Sequence, residues 1–97
     1  MWYADIAGVG RHFLIVLGAR RRNVTGVMVT HSEGPAESHI PLTAEDGLRL
    51  TGYTVSYANT TDIRTVNLPA IRSRHGRLRY AKLREIENAV RDYLGLS

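Results

Sequence analysis

The sequence predicts a mainly β domain closed by one C-terminal α-helix. Three observations carry this prediction. Short apolar or β-branched segments fill the first two thirds of the chain, Gly, Pro and Asn punctuate them, and a single helical stripe ends it. The 97 residues, 43% hydrophobic, fit one domain over 1–97 and leave no room for a second. A chain of this length buries only about 60 to 65% of its unfolded surface. Lacking cysteine, it has neither disulfides nor thiolate metal clusters to staple it, so a second copy is expected to add stability.

Each element has its own signal. Trp2, Ala4 and Ile6 alternate with Tyr3 and Asp5, the period of two of a half-buried strand, and Gly8-Val9-Gly10 turns the chain. Phe13 to Leu17 is a continuous, partly β-branched run closed by Gly18, which fits a strand buried on both faces. The triplet Arg20, Arg21 and Arg22 reads as a loop. Val24 to Thr30 is a third strand, ended by the breakers Ser32, Glu33, Gly34 and Pro35. Glu37 to Leu42 carries Pro41, which removes a ladder donor and assigns this segment to an edge or a bulge.

Tyr53, Val55 and Tyr57 alternate with Thr54 and Ser56 in a fifth strand, and Asp62 to Val66 is a shorter sixth. Leu68 to Ile71 reads as a turn or a single helical turn, and Gly76 breaks the basic stretch after it. Leu83, Ile86, Val90 and Leu94 then mark one stripe of a helix of about fifteen residues that stops at Gly95. Its start has no good cap.

Charge is arginine charge. Of the 13 Lys plus Arg, Lys82 is the one lysine, and the formal net charge is +4. From Ile63 to Arg84 seven basic residues occur with no acid, and the arginine triplet makes a second cluster. Guanidinium groups suit planar, bidentate contacts with phosphate or carboxylate, so these stretches fit either a polyanion footprint or ordinary solvated charge. The longest apolar run is far short of the roughly 20 residues of a spanning helix. No secretory pattern opens the chain, so a cytoplasmic, non-membrane protein is expected.

Most chemical motifs are missing. Gly8-Val9-Gly10 lacks the third glycine of a dinucleotide loop, and there is no phosphate-loop lysine. Asn23-Val24-Thr25 and Asn59-Thr60-Thr61 match the glycosylation pattern by chance. His12, His31, His39 and His75 are scattered without the pairing of a helical metal site, so neither metal nor cofactor is expected. What remains is Arg11-His12 at the first hairpin and Thr30-His31-Ser32 at the end of the third strand. In an antiparallel meander these two sets meet at one end of the sheet. They read either as a proton-transfer and oxyanion-stabilising cluster or as ordinary turn and cap residues.

The chain resembles a known family. Trp2-Tyr3-Ala4-Asp5-Ile6 with Gly10-Arg11-His12-Phe13-Leu14-Ile15-Val16-Leu17 is similar to the W-x-D-L … G-R-R-P-V-L-V-L opening of MazF/PemK (Kid-like) toxins. Val27 to Ser32 followed by Ile40-Pro41-Leu42 is similar to that family's third strand and its V/I-P-L fourth strand. Asp62-Ile63-Arg64-Thr65-Val66, Gly76-Arg77-Leu78 and Leu94-Gly95-Leu96 resemble its D-Q-I/V-R-T-V/I … G-R-L-S … L-G-L. The motifs cover nearly the whole chain in order.

The resemblance implies an SH3-like barrel of the CcdB/Kid/MazF type, a homodimer, and a toxin neutralised by an acidic, partly disordered antitoxin. It also implies an mRNA-interferase activity: metal-independent, sequence-specific cleavage of single-stranded RNA, giving a 2′,3′-cyclic phosphate and a 5′-OH. The family's catalytic threonine carries over to Thr30, with Ser32 the neighbouring alternative. Its catalytic arginine precedes a proline. Here His12 and Phe13 follow Arg11, so alignment on the apolar strand places His12 in the arginine's column and Arg11 one before it. The assignment is Arg11 as phosphate clamp, His12 as general base or acid and Thr30 as donor to a phosphate oxygen. Ser32, Arg20, Arg21, Arg22, Asn59, Asp62 and Arg64 are the expected RNA contacts. The loop before Asp62 departs from the family's R-x-D-Q. A catalytically inactive RNA-binding barrel and a CcdB-like gyrase inhibitor are the alternatives.

Overall fold

The computed structural model describes residues 1–50 and 55–96. In chain order these form β1 (Trp2–Ile6), β2 (Gly10–Arg20), β3 (Asn23–Thr30), β4 (His39–Leu42), β5 (Ser56–Asn67), β6 (Ile71–Arg74) and α1 (Tyr80–Leu94). Single 3-10 turns cover Ala44–Asp46 and Leu68–Ala70. The strands lie in one antiparallel sheet in the order β4-β5-β3-β2-β1-β6. The expected meander of the first three strands is there, and β4, with Pro41, is an edge.

Both faces of the sheet carry a core, and β2 explains why its apolar run is unbroken. Leu14 packs with Ala4, Ile6, Val24, Met28 and Val66 on one face. Ile15 packs with Val27, Val29, Leu42 and Ala58 on the other, where Leu48 and the helix residues Ile86 and Val90 complete the cluster. Successive strand residues face opposite ways, so a strand between two cores needs apolar residues at both parities. Gly26 sits where β3 passes tightly against β2. A Cβ there would collide with the Ile15 carbonyl oxygen and come within 2.8 Å of the Leu14 side chain.

Four differences from the sequence reading have physical causes. The fifth and sixth candidate strands are one strand, β5. Between the pairs Met28↔Asn59 and Val27↔Ile63 its register jumps, leaving Thr60, Thr61 and Asp62 as a bulge. The bulge satisfies its own polar groups: Thr60 donates both its N–H (2.8 Å) and its hydroxyl (3.0 Å) to the Ser38 carbonyl, and the Asn59 side-chain oxygen accepts from Thr61. That chemistry imitates a turn in the sequence. Tyr53 and Thr54, expected at the start of this strand, lie outside the described residues.

The second difference is β6, which the sequence reading lacks. Its four residues include one apolar side chain, and pairing with β1 rather than patterning makes it a strand. Third, Arg20 belongs to β2, so only Arg21 and Arg22 form the turn. Fourth, the buried stripe of α1 ends at Val90, and Leu94 is exposed. The helix stops as expected at Gly95, which takes φ 75° while its N–H and that of Leu96 close back onto the last turn. At its start Arg79 supplies no side-chain cap. No helix among the described residues is long and apolar enough to cross a membrane.

Candidate active site

The β1–β2 hairpin closes with Ile6 opposite Gly10, and its next pair sets Asp5 against Arg11. Directly opposed residues share a face, so the two side chains meet: Arg11 Nε donates to Asp5 Oδ1 at 3.3 Å. The other oxygen of Asp5 accepts from Arg72 of β6, with Nε at 2.8 Å and Nη2 at 2.6 Å. The Arg72 hydrogen bond, assisted by the charges of both guanidinium groups, holds the Asp5 carboxyl below its ordinary range. The Arg11 contact is the longer, and its side chain is 68% exposed. Asp5 therefore keeps a tight partner and a loose one.

His12 follows Arg11 and pairs with Ala4, which is fully buried in the core on the other face. The ladder between β2 and β3 is recorded from Leu14↔Met28. β2 begins at Gly10 and β3 ends at Thr30, so in this antiparallel pair Arg11-His12 and Thr30-His31 both lie beyond the Leu14↔Met28 pair, toward the same end of the sheet. The two segments thus come to one end of the sheet, and strand alternation divides them between its faces. Thr30 pairs with Tyr57 of β5, and its hydroxyl accepts the Ser32 N–H at 3.2 Å. His31 Nδ1 lies 3.1 Å from the hydroxyl of the buried Ser56. Beside them Tyr3, Phe13 and His75 stack as one ring cluster, with centroids 4.8 to 5.9 Å apart.

No protein-family model and no curated protein matches the sequence. Solved structures do match. The Mycobacterium tuberculosis toxin MazF-mt6 is similar at a TM-score of 0.80 and 15% identity, over 100% of this chain and 99% of that one. The chain has the MazF fold. An endoribonuclease in complex with its cognate antitoxin, from Mycobacterial species, shares the MazF fold at 0.75 and 21% identity, over 99% of this chain and 89% of that one. An endoribonuclease from Mycobacterial species does so at 0.72 and 20%, over 98% and 88%.

Within this MazF fold the remaining expected residues fall in three places. Ser32 lies in the loop just past Thr30. Asn59 precedes the bulge of β5 and Asp62 ends it, where Asp62 Oδ1 accepts from Arg64 Nε at 2.7 Å and raises the arginine's pKa. Arg20, Arg21 and Arg22 lie at the opposite end of β2 from Arg11, nine residues or roughly 30 Å along the strand. Among the described residues no three His, Asp or Glu side chains converge as a metal site. Two members of the constellation escape sequence reasoning, Asp5 and Arg72. Counting back from the hairpin turn would have found Asp5. Arg72 belongs to the basic stretch noted in the sequence, but nothing there points to its pairing with Asp5, because its strand carries no pattern.

Proposed function

We propose that this chain is the toxin of a toxin–antitoxin pair and acts as a metal-independent, sequence-specific endoribonuclease on single-stranded RNA. The observation that supports it most is a whole-length match of fold to a MazF toxin and to endoribonucleases, one held by its antitoxin. The order of motifs along the chain and the arginine-rich surface agree with it.

In the reaction the ribose 2′-oxygen attacks the adjacent phosphorus. The O2′–P bond forms and the P–O5′ bond breaks, leaving a 2′,3′-cyclic phosphate and a 5′-OH. His12 takes the 2′-OH proton as general base or supplies one to the leaving 5′-oxygen as general acid. Thr30, toward the same end of the sheet, donates its hydroxyl hydrogen to a non-bridging oxygen. Arg11 reaches round the strand end from the other face and stabilises the phosphorane. Its long, exposed contact with Asp5 is readily exchanged for a phosphate, and Arg72 keeps Asp5 neutralised when it leaves. Ser32, Asn59, Asp62, Arg64 and the Arg20–22 turn contact the rest of the RNA. DNA lacks the nucleophile and survives.

A homodimer belongs to this reading. Tyr93, Leu94 and Leu96, more than half exposed at the end of the helix, are apolar surface that a second copy would cover. The antitoxin is an acidic, partly disordered chain matched to the basic surface. Purified Arg11→Ala, His12→Ala and Thr30→Ala variants test the assignment on a cleavable RNA. His12→Ala is expected to lose about 10² to 10⁴ of the rate. Full activity in both Arg11→Ala and His12→Ala contradicts it.

A further inference from the structure

Three groups of cations stand out on the surface, and they differ in whether they are already neutralised. Arg11 and Arg72 share Asp5, and Arg64 is bound to Asp62. Arg20, Arg21 and Arg22 have no ion pair among the described residues, and all three are exposed. Arg20 and Arg21 line an open cleft of about 470 Å³ with Asn23, Thr25 and Thr65. No acid lines it. The register explains its floor. Asn23 and Thr25 of β3 share a face with their β5 partners Asn67 and Thr65, and the Thr25 and Thr65 hydroxyls lie 3.0 Å apart. Opposite Thr25, β2 presents Gly18, where a Cβ would meet only open space.

The turn above this cleft is strained. Arg21 has φ 54°, the left-handed region in which glycine or asparagine is at ease and a long side chain is not. It is the one non-glycine residue among those described with positive φ. A conformation of this kind persists where the surrounding structure fixes it, here the tight turn closed by the Arg20↔Asn23 pair. The cleft also has a neighbour. Thr65 lines a second hollow of about 230 Å³ with Asp5 and Arg64, so the two hollows adjoin at β5.

We propose that Arg20, Arg21, Thr25 and Thr65 form a phosphate-binding subsite for the backbone of a single-stranded nucleic acid, remote from the reactive end of β2. It rests on the reading of single-stranded RNA as substrate and adds a second anchor to it. The guanidinium groups give charge and forked donors. The paired hydroxyls and Asn23 give neutral donors for phosphoryl oxygens, and none of these groups reads a base. A strand that is gripped at both ends of the sheet must span the roughly 30 Å between them. Short oligomers reach only one end.

Affinity against length is therefore the test. Single-stranded DNA of about 4 and about 16 nucleotides, the range of single-strand site sizes, serves as an uncuttable probe. Wild-type protein is expected to bind the long oligomer more tightly by at least about tenfold. In the double variant Arg20→Gln/Arg21→Gln that ratio falls toward one, and the salt slope for the long oligomer drops by about 1.4, some 0.7 for each lost phosphate contact. Arg21→Gly is expected to raise Tm, because it removes the strain, while also lowering the ratio. A ratio that persists in the double variant overturns the subsite. So does competition by polyglutamate as strong as that by the oligomer, which would assign the cleft to an acidic peptide. Wild-type protein that cuts RNA but shows no length effect loses this subsite and keeps the proposed function. If it binds neither oligomer and cuts no RNA, both readings fall.

Discussion

Asp5 receives two arginines from two different strands, and its lowered pKa makes the pair of contacts measurable. A carboxyl whose folded pKa is depressed contributes stability above its unfolded value, near pH 4, and loses it as pH falls through the folded value. Asp5→Asn is therefore expected to lower Tm at pH 7, with the difference from wild type closing as pH falls well below 4. Thermal melts of both proteins across that range check it, and a constant difference would show that the carboxylate's charge is not what matters. Of the residue-level picture, the meander that the sequence predicts puts the start of β2 and the end of β3 toward one end of the sheet, and the roles of Arg11, His12 and Thr30 there are proposed. Their division between two faces follows from strand parity and the pairs Ala4↔His12 and Asp5↔Arg11, which need the register. Arg72 was not legible, since its place depends on a strand that only long-range pairing creates.

Elements follow the same logic. β1, β2, β3 and α1 announce themselves through local period or β-branched runs, though β2 runs from Gly10 to Arg20 instead of closing at Gly18. β5 and β6 do not, because a bulge with polar, self-satisfied residues resembles a turn and a four-residue basic strand resembles a loop. The close contact at Gly26 lets packing be tested without touching the site. Gly26→Ala is expected to destabilise the protein by about 3 kcal/mol, as overpacking against fixed backbone does. Ile86→Ala, which uncovers the helix–sheet core, is expected to lose about 2 to 5 kcal/mol. Urea unfolding midpoints measure both. At the uncapped helix start the change runs the other way: Arg79→Ser is expected to gain about 1 kcal/mol by giving the first turn an acceptor. An unchanged midpoint there would mean that the Arg79 N–H bond to Asp46 already fixes the entry to the helix.

At the scale of the molecule, a small sheet with a core on each face leaves its two ends for chemistry. Arg11, His12, Thr30, His31 and Ser32 lie toward one end; the β2–β3 turn at the other carries arginines with no ion pair among the described residues. The whole-length likeness of fold to a MazF toxin is the observation behind the proposed RNA cleavage, in which His12 supplies the acid–base chemistry and Arg11 the guanidinium. Incubation of the purified protein with a long single-stranded RNA in excess EDTA, beside an all-DNA copy, tests that claim most directly. The account predicts cuts at one short sequence, ends that carry 2′,3′-cyclic phosphate and 5′-OH, and untouched DNA. Folded protein that leaves the RNA whole, or that cuts only when a divalent metal is restored, would contradict it.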